Sequence, residues 1–127
     1  MLFRSTAAGD WSIGSGQAAA AAILSWPRRP TAVFAANDEM AIGAIHAFVA
    51  AGMSVPGDVS VVGFDDIDFA AVGSPALTTI RQPRFAMGRA AVEAVTARIE
   101  GRTSAEGARI LPSQRVLRAS VGPPSAA

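Results

Sequence analysis

The chain has 127 residues, half of them hydrophobic, with 11 Lys+Arg against 10 Asp+Glu, a net charge of +1 and no cysteine. That length gives one ordinary domain with a real core, and the apolar share excludes disorder over most of it. Every basic residue is an arginine and they are scattered, which excludes a polyanion-binding patch, while the lack of cysteine excludes disulfide scaffolds, thiolate metal sites and a Cys nucleophile.

In chain order, Met1 to Phe3 read either as the end of a strand or as an arbitrary start. GDW (9–11) leads into a helix from about Ile13 to Ser25, whose interior QAAAAAIL is rich in the best helix former. Ala19, Ala20, Ile23 and Leu24 share one side of it, and Trp26-Pro27 ends it. Thr31 to Ala36 is a strand. Asn37 and Asp38 are good cap residues for a helix from about Asp38 to Ala51, stopped by Gly52. Ala41, Ala44, Ile45 and Phe48 form its apolar face; Ile42 and Val49, with His46 between, form a second stripe. A helix apolar on two sides is fully buried or meets a second subunit.

VPGD (55–58) is a turn, and VSVVGFDD (59–66) reads as a strand buried on both faces. A helical turn over Phe69 to Val72 is broken by Gly73-Ser74-Pro75. Leu77 to Arg81 is the third strand. The longest helix runs from about Pro83 to Glu100, with Gly88, Val92, Val95 and Ile99 spaced as one buried face and Gly101 closing it. After the polar loop GRTSAEG (101–107), Ile110 to Leu111 and Arg115 to Arg118 read as two short strands around Pro112. Residues 1–120 are the folded part; the tail 121–127 is expected to be mobile. Such alternation predicts an α/β fold, a parallel sheet flanked by helices in three layers with right-handed crossovers. No stretch is long and apolar enough to span a bilayer, and the first residues form no signal peptide. The expected location is therefore the cytoplasm.

Three strands deliver polar side chains at their C-terminal ends, where open α/β folds bind ligands. Asn37 offers an amide that both donates and accepts, or it is simply a helix cap. Asp65 can accept two hydroxyls of a sugar, or Asp65 or Asp66 caps the following turn. Adjacent strand residues point oppositely, so the two carboxylates need not share a site, which weakens a glycosidase reading. Gln82 is a third candidate beside a loop or capping role. Trp11 can stack on a sugar face or act as a packing residue. His46, the sole histidine, has no acid or serine at catalytic spacing and reads as an interface or core residue. GSG at 14–16 is no dinucleotide fingerprint, since it follows no clear strand and completes no GxGxxG. No cofactor or metal motif occurs.

Taken together, GDW…SG, PTAVFAANDEMAIGAIHAF, GMSVPGDVSVVGFDD, SPALTTIRQP, MGRAAVEAVTARIEG and LPSQRVLRAS resemble the LacI/GalR family of bacterial transcription regulators over about residues 9 to 120. The resemblance implies a type I periplasmic binding protein-like fold in which two α/β lobes close over a small effector, often a sugar. It implies a homodimer with an N-terminal helix-turn-helix domain that binds operator DNA. By motif match it implies effector contacts at Asn37 and Asp65, stacking at Trp11, and a cleft position for Gln82 at a crossover between lobes. The helix from Asp38 and the segment 71–74 resemble the family's dimer face, which would place Ile42, His46, Val49, Ala71 and Val72 there. The chain departs from the family in having no helix-turn-helix, no hinge helix and little of the first lobe. The expectation is mainly the C-terminal lobe of an effector domain, from a truncated gene, a fragment or a mis-assigned start. The long helix would then keep its apolar face open or cover it by self-association. Two other classes stand beside this one: a solute-binding protein of a transporter, and a hydrolase using Asp65 and Asp66.

Overall fold

A computed structural model of the chain describes residues 5–102 and 108–124. The expected opening at Met1 to Phe3 and most of the loop GRTSAEG lie outside these residues. The element order is α1 (Ile13–Leu24), β1 (Ala32–Phe34), α2 (Asp38–Ala50), β2 (Ser60–Val62), α3 (Asp68–Val72), β3 (Thr79–Arg81), α4 (Arg84–Ile99) and β4 (Gln114–Val116). The chain divides into two compact units, residues 1–81 with 115–127, and residues 82–114.

In the first unit β1 and β2 are parallel, with Ala32 opposite Ser60 and Phe34 opposite Val62. Parallel bridges at Val62–Thr78 and Asp65–Arg81 carry the sheet from β2 to β3, which pairs with β4. The order is thus β1-β2-β3-β4. Val59 and Val61 are buried, as the uncharged run predicted. β1 is an edge strand among the described residues, and its Phe34 is half exposed.

α1 and α2 pack backbone to backbone. A Cβ at Gly16 would overlap the Met40 main chain, and one at Gly43 would overlap that of Ile13. GSG at 14–16 therefore has a packing role: its second glycine lets two helices cross closely. The expected apolar face of α2, Ala41, Ala44, Ile45 and Phe48, is buried throughout and joins Ala20 and Ile23 of α1 with Val59, Val61 and Leu77 in one core.

Two expectations are corrected, and one residue of the expected tail has a partner. Ile110–Leu111 is not a strand, and the final strand is Gln114–Val116 in place of Arg115 to Arg118. The period-matched face of α4 is not buried, for Val92, Val95 and Ile99 are 66, 59 and 80 % exposed. Periodicity supplied the helix but not a cover: apart from α4, the described part of its unit is turn and loop up to Gln114. Finally, the tail is partly fastened. Gly122 donates its N–H to Ser60 Oγ at 3.1 Å and accepts from the same hydroxyl at 3.2 Å.

Candidate functional site

The sheet register brings the two main candidates to equivalent places. Asn37 and Asp65 each stand three residues beyond the paired strand ends Phe34 and Val62, at the C-terminal rim of neighbouring parallel strands. That rim is where this class of sheet receives ligands.

Asn37 is the N-cap of α2, with Oδ1 accepting from Met40 N at 2.9 Å. The capping role weighed from the sequence is thus present. The side chain also has a second partner, since Nδ2 donates to the Trp11 carbonyl at 2.8 Å. Trp11 is thereby tied to the rim, 26 residues away in sequence from its anchor. It does not pack in the core; it is 61 % exposed, with φ at 74°. The flanking residues hold it there. Asp10 Oδ1 accepts from both the backbone and the hydroxyl of Ser12, at 3.1 and 2.6 Å. Ser12 in turn caps α1 by accepting from Ser15 N. The Ser12 hydroxyl is the leading cause that holds the Asp10 carboxyl below its ordinary value.

Asp65 and Asp66 also have positive φ, 116° and 57°. Three non-glycine residues of one rim, Trp11 included, therefore occupy sparsely populated backbone regions, at a cost of about 1–3 kcal/mol each. Such strain persists only where surroundings impose it, and it concentrates at ligand sites. The imposing contacts are visible. The Asp65 N–H donates to Ile80 O at 2.9 Å. The Asp66 carboxylate is buried and accepts from Arg81 Nε at 2.5 Å and from an Arg118 guanidinium nitrogen at 2.6 Å. Burial pulls its carboxyl upward, but the bonds and charges of Arg118 and Arg81 outweigh that and hold it below its ordinary value.

The same register that aligns Asn37 with Asp65 aligns Asp38 with Asp66. Asp38 and Asp66, the second residue of each sequence pair, are buried ties. Asp38 Oδ1 accepts from Thr79 Oγ1 at 2.5 Å, and Oδ2 accepts from Ile67 N at 2.9 Å. One carboxylate thus joins the start of α2 to β3 and to the residue that opens α3. Gly63 makes room for it, because a Cβ there would overlap Asp38 Oδ1. Desolvation is the largest influence on Asp38 and lifts its carboxyl above the ordinary value; the Thr79 hydroxyl and Ile67 amide pull it back in part. Asp38 entered the sequence reading only as a cap and Asp66 as the lesser of two acids. Their partners lie 15 to 52 residues away, which no local pattern reveals.

Gln82 opens the second unit, half-buried, its carbonyl accepting from Arg84 N at 2.9 Å. In the first unit, Ile42 is half-buried while His46, Val49, Ala71 and Val72 are exposed. Ile42, His46 and Phe69 line a shallow depression between α2 and α3. A larger open groove of about 470 Å³ runs along α4 beside Arg89, Glu93 and Arg102. It involves none of the rim residues. No cluster of three or more His, Cys, Asp or Glu suited to a metal occurs among the described residues.

The sequence profile of the periplasmic binding protein-like domain matches residues 4–121. The chain is 38 % identical over 114 residues to the HTH-type transcriptional repressor CytR of Escherichia coli K12, covering 90 % of this chain and 33 % of that protein. It is 41 % identical over 112 residues to a lactose operon repressor of Rhizobium radiobacter, covering 88 % of this chain and 98 % of that sequence. A dimeric Lac repressor with an 11-residue C-terminal deletion superposes with a TM-score of 0.83 at 36 % identity, over 92 % of this chain and 43 % of the other. The transcriptional regulator CelR in complex with cellobiose gives 0.82 at 37 % identity, over 88 % and 34 %. The chain thus spans about a third of the length of CytR. With the domain profile over nearly its whole length and repressors at this identity on either side of it, the chain belongs to the LacI/GalR family of transcriptional regulators, within the periplasmic binding protein-like domain.

Proposed function

We propose that this chain forms one wall of the effector cleft of a LacI-type regulator, with Asn37, Asp65 and Trp11 facing a small polar ligand of the sugar class. The observation that carries the reading is the register equivalence of Asn37 and Asp65 on adjacent parallel strands, with Trp11 tied to Asn37. An amide and a carboxylate on one rim pair with hydroxyls, and an exposed indole offers a stacking face. Repressors of lactose metabolism and a cellobiose-bound regulator among its relatives favour a sugar. They also favour the regulator over a transport protein.

In the whole protein, a ligand that binds one lobe arrangement better than the other shifts the balance between them and so changes operator affinity. Operator contact is assigned to a helix-turn-helix domain, and pairing of subunits to the α2–α3 face. The reading is of a cytoplasmic binding protein and not an enzyme. A hydrolase would need two available acids, yet each Asp66 oxygen already accepts from an arginine.

One wall supplies only part of the contacts. The 127-residue chain is therefore expected to bind lactose or cellobiose weakly, with Kd of ~1 mM or above. In an NMR titration the signals of Trp11, Asn37 and Asp65 should move together, and Asp65→Asn should abolish the movement. Micromolar binding, or movement confined to α4, would contradict the assignment.

A further inference from the structure

The sequence singles out Asp65, and the structure adds the residue behind it. We infer that Asp66 is the positioning residue of the rim: clamped between Arg81 and Arg118, it holds the Asp65 backbone in its positive-φ conformation.

Two successive non-glycine residues with φ of 116° and 57° are uncommon even for aspartate, which enters the left-handed region as single residues. Something packed against them must impose that conformation. Asp66 is the anchored member, its side chain 7 % exposed. Its two oxygens divide between two arms. Arg81 comes from β3 and is half exposed; Arg118 follows β4 and is 18 % exposed. Each arm is itself fixed to the sheet. Arg81 is the bridge partner of Asp65. Arg118 donates through its other guanidinium nitrogen to Leu77 O at 2.8 Å, and its backbone N–H donates to Thr78 Oγ1 at 2.9 Å. The loop between β2 and α3 is thus pinned at its turning point to β3 and to the C-terminal segment. Two charge-assisted bonds to one buried carboxylate are stronger than bonds between neutral groups. They fall on the residue next to the strained one. What a positioned Asp65 is for rests on the effector-wall reading; that Asp66 does the positioning does not.

The test is therefore made without ligand, on the 127-residue chain by NMR. The three-bond HN–Hα coupling of Asp65 reports its φ, and exchange of its amide reports the bond to Ile80 O. Asp66→Asn and Arg81→Gln should each move the coupling away from its wild-type value and speed that exchange by about tenfold or more. Phe48→Leu, a buried substitution elsewhere in α2, should lower the unfolding midpoint and leave the Asp65 coupling where it was. A purely structural Asp66 would behave like Phe48. An unchanged Asp65 coupling in both charge variants would overturn the inference. Should Asp66→Asn not fold, Arg81→Gln decides alone, because its half-exposed arm can be removed without uncovering the core. Failure here leaves the effector wall standing, and failure of the sugar titration leaves this positioning role standing.

Discussion

Ser120 closes the LPSQRVLRAS stretch without being singled out by it, yet it is fully buried. Its hydroxyl donates to Val61 O at 2.6 Å and accepts from Thr78 N at 2.8 Å. It bridges two strands through a single oxygen. Ser120→Ala leaves a buried carbonyl and a buried amide without that partner, and the expected loss is about 1–3 kcal/mol. The measurement is a urea titration, with a lower midpoint and an unchanged slope. The two tied aspartates have opposite pH signatures. Asp66 is held below its ordinary 3.8, so the folded form releases its proton more readily than the unfolded chain. Its contribution is complete above pH 3.8 and is lost as pH falls through the folded value. Asp38 is raised above 3.8, so its contribution is complete below pH 3.8 and is lost as pH rises through the folded value. Asp66→Asn should therefore flatten the acid limb of a stability–pH curve, and Asp38→Asn should flatten the decline that follows it. The reverse pairing in denaturation midpoints measured from pH 2 to 6 would contradict both assignments.

At the scale of elements, the crossing of α1 and α2 through Gly16 and Gly43 sets a sharp limit. Neither position has space for a methyl, because backbone stands where it would go. Gly43→Ala should destabilise by about 1–3 kcal/mol or more, although alanine is the better helix former. A gain in thermal midpoint would show that the helices part easily. Helix boundaries were legible in the sequence because their signals are local. Asn37 caps α2, Gly52 and Gly101 take the positive φ that ends a helix, and Trp26-Pro27 follows α1. Strands were less so. Thr31 to Ala36 shortens to Ala32–Phe34, and Ile110–Leu111 does not pair. A strand ends where its neighbour stops, and the neighbour of β1 lies some thirty residues on. The rim was legible as strand-end polar residues, but the acids that brace it were not. Their partners, Arg118 and Thr79, carry no mark that ties them to Asp66 and Asp38.

For the whole molecule, the two exposed apolar surfaces make different predictions. Val49 of α2 and Val72 of α3 are 51 and 75 % exposed. They belong to the face to which the proposed function assigns the pairing of subunits. Val72→Asp should weaken self-association at least about tenfold, or 1.4 kcal/mol, by sedimentation equilibrium. An association that survives Val72→Asp but is lost on Val95→Asp would move the contact to α4.

The fastening of Ser120 and Gly122 also bears on how the protein is made. Ser60 and Val61, near the middle of the chain, pair with β1 and take further partners from a segment sixty residues downstream. A nascent chain still inside the ribosome at that point has Val61 N–H and O, the Thr78 amide and the Asp66 carboxylate without those C-terminal partners. Closing so long a loop comes late in assembly. Until residues 118–122 are in place, the packed α1–α2 pair would stand beside a sheet that lacks those bonds.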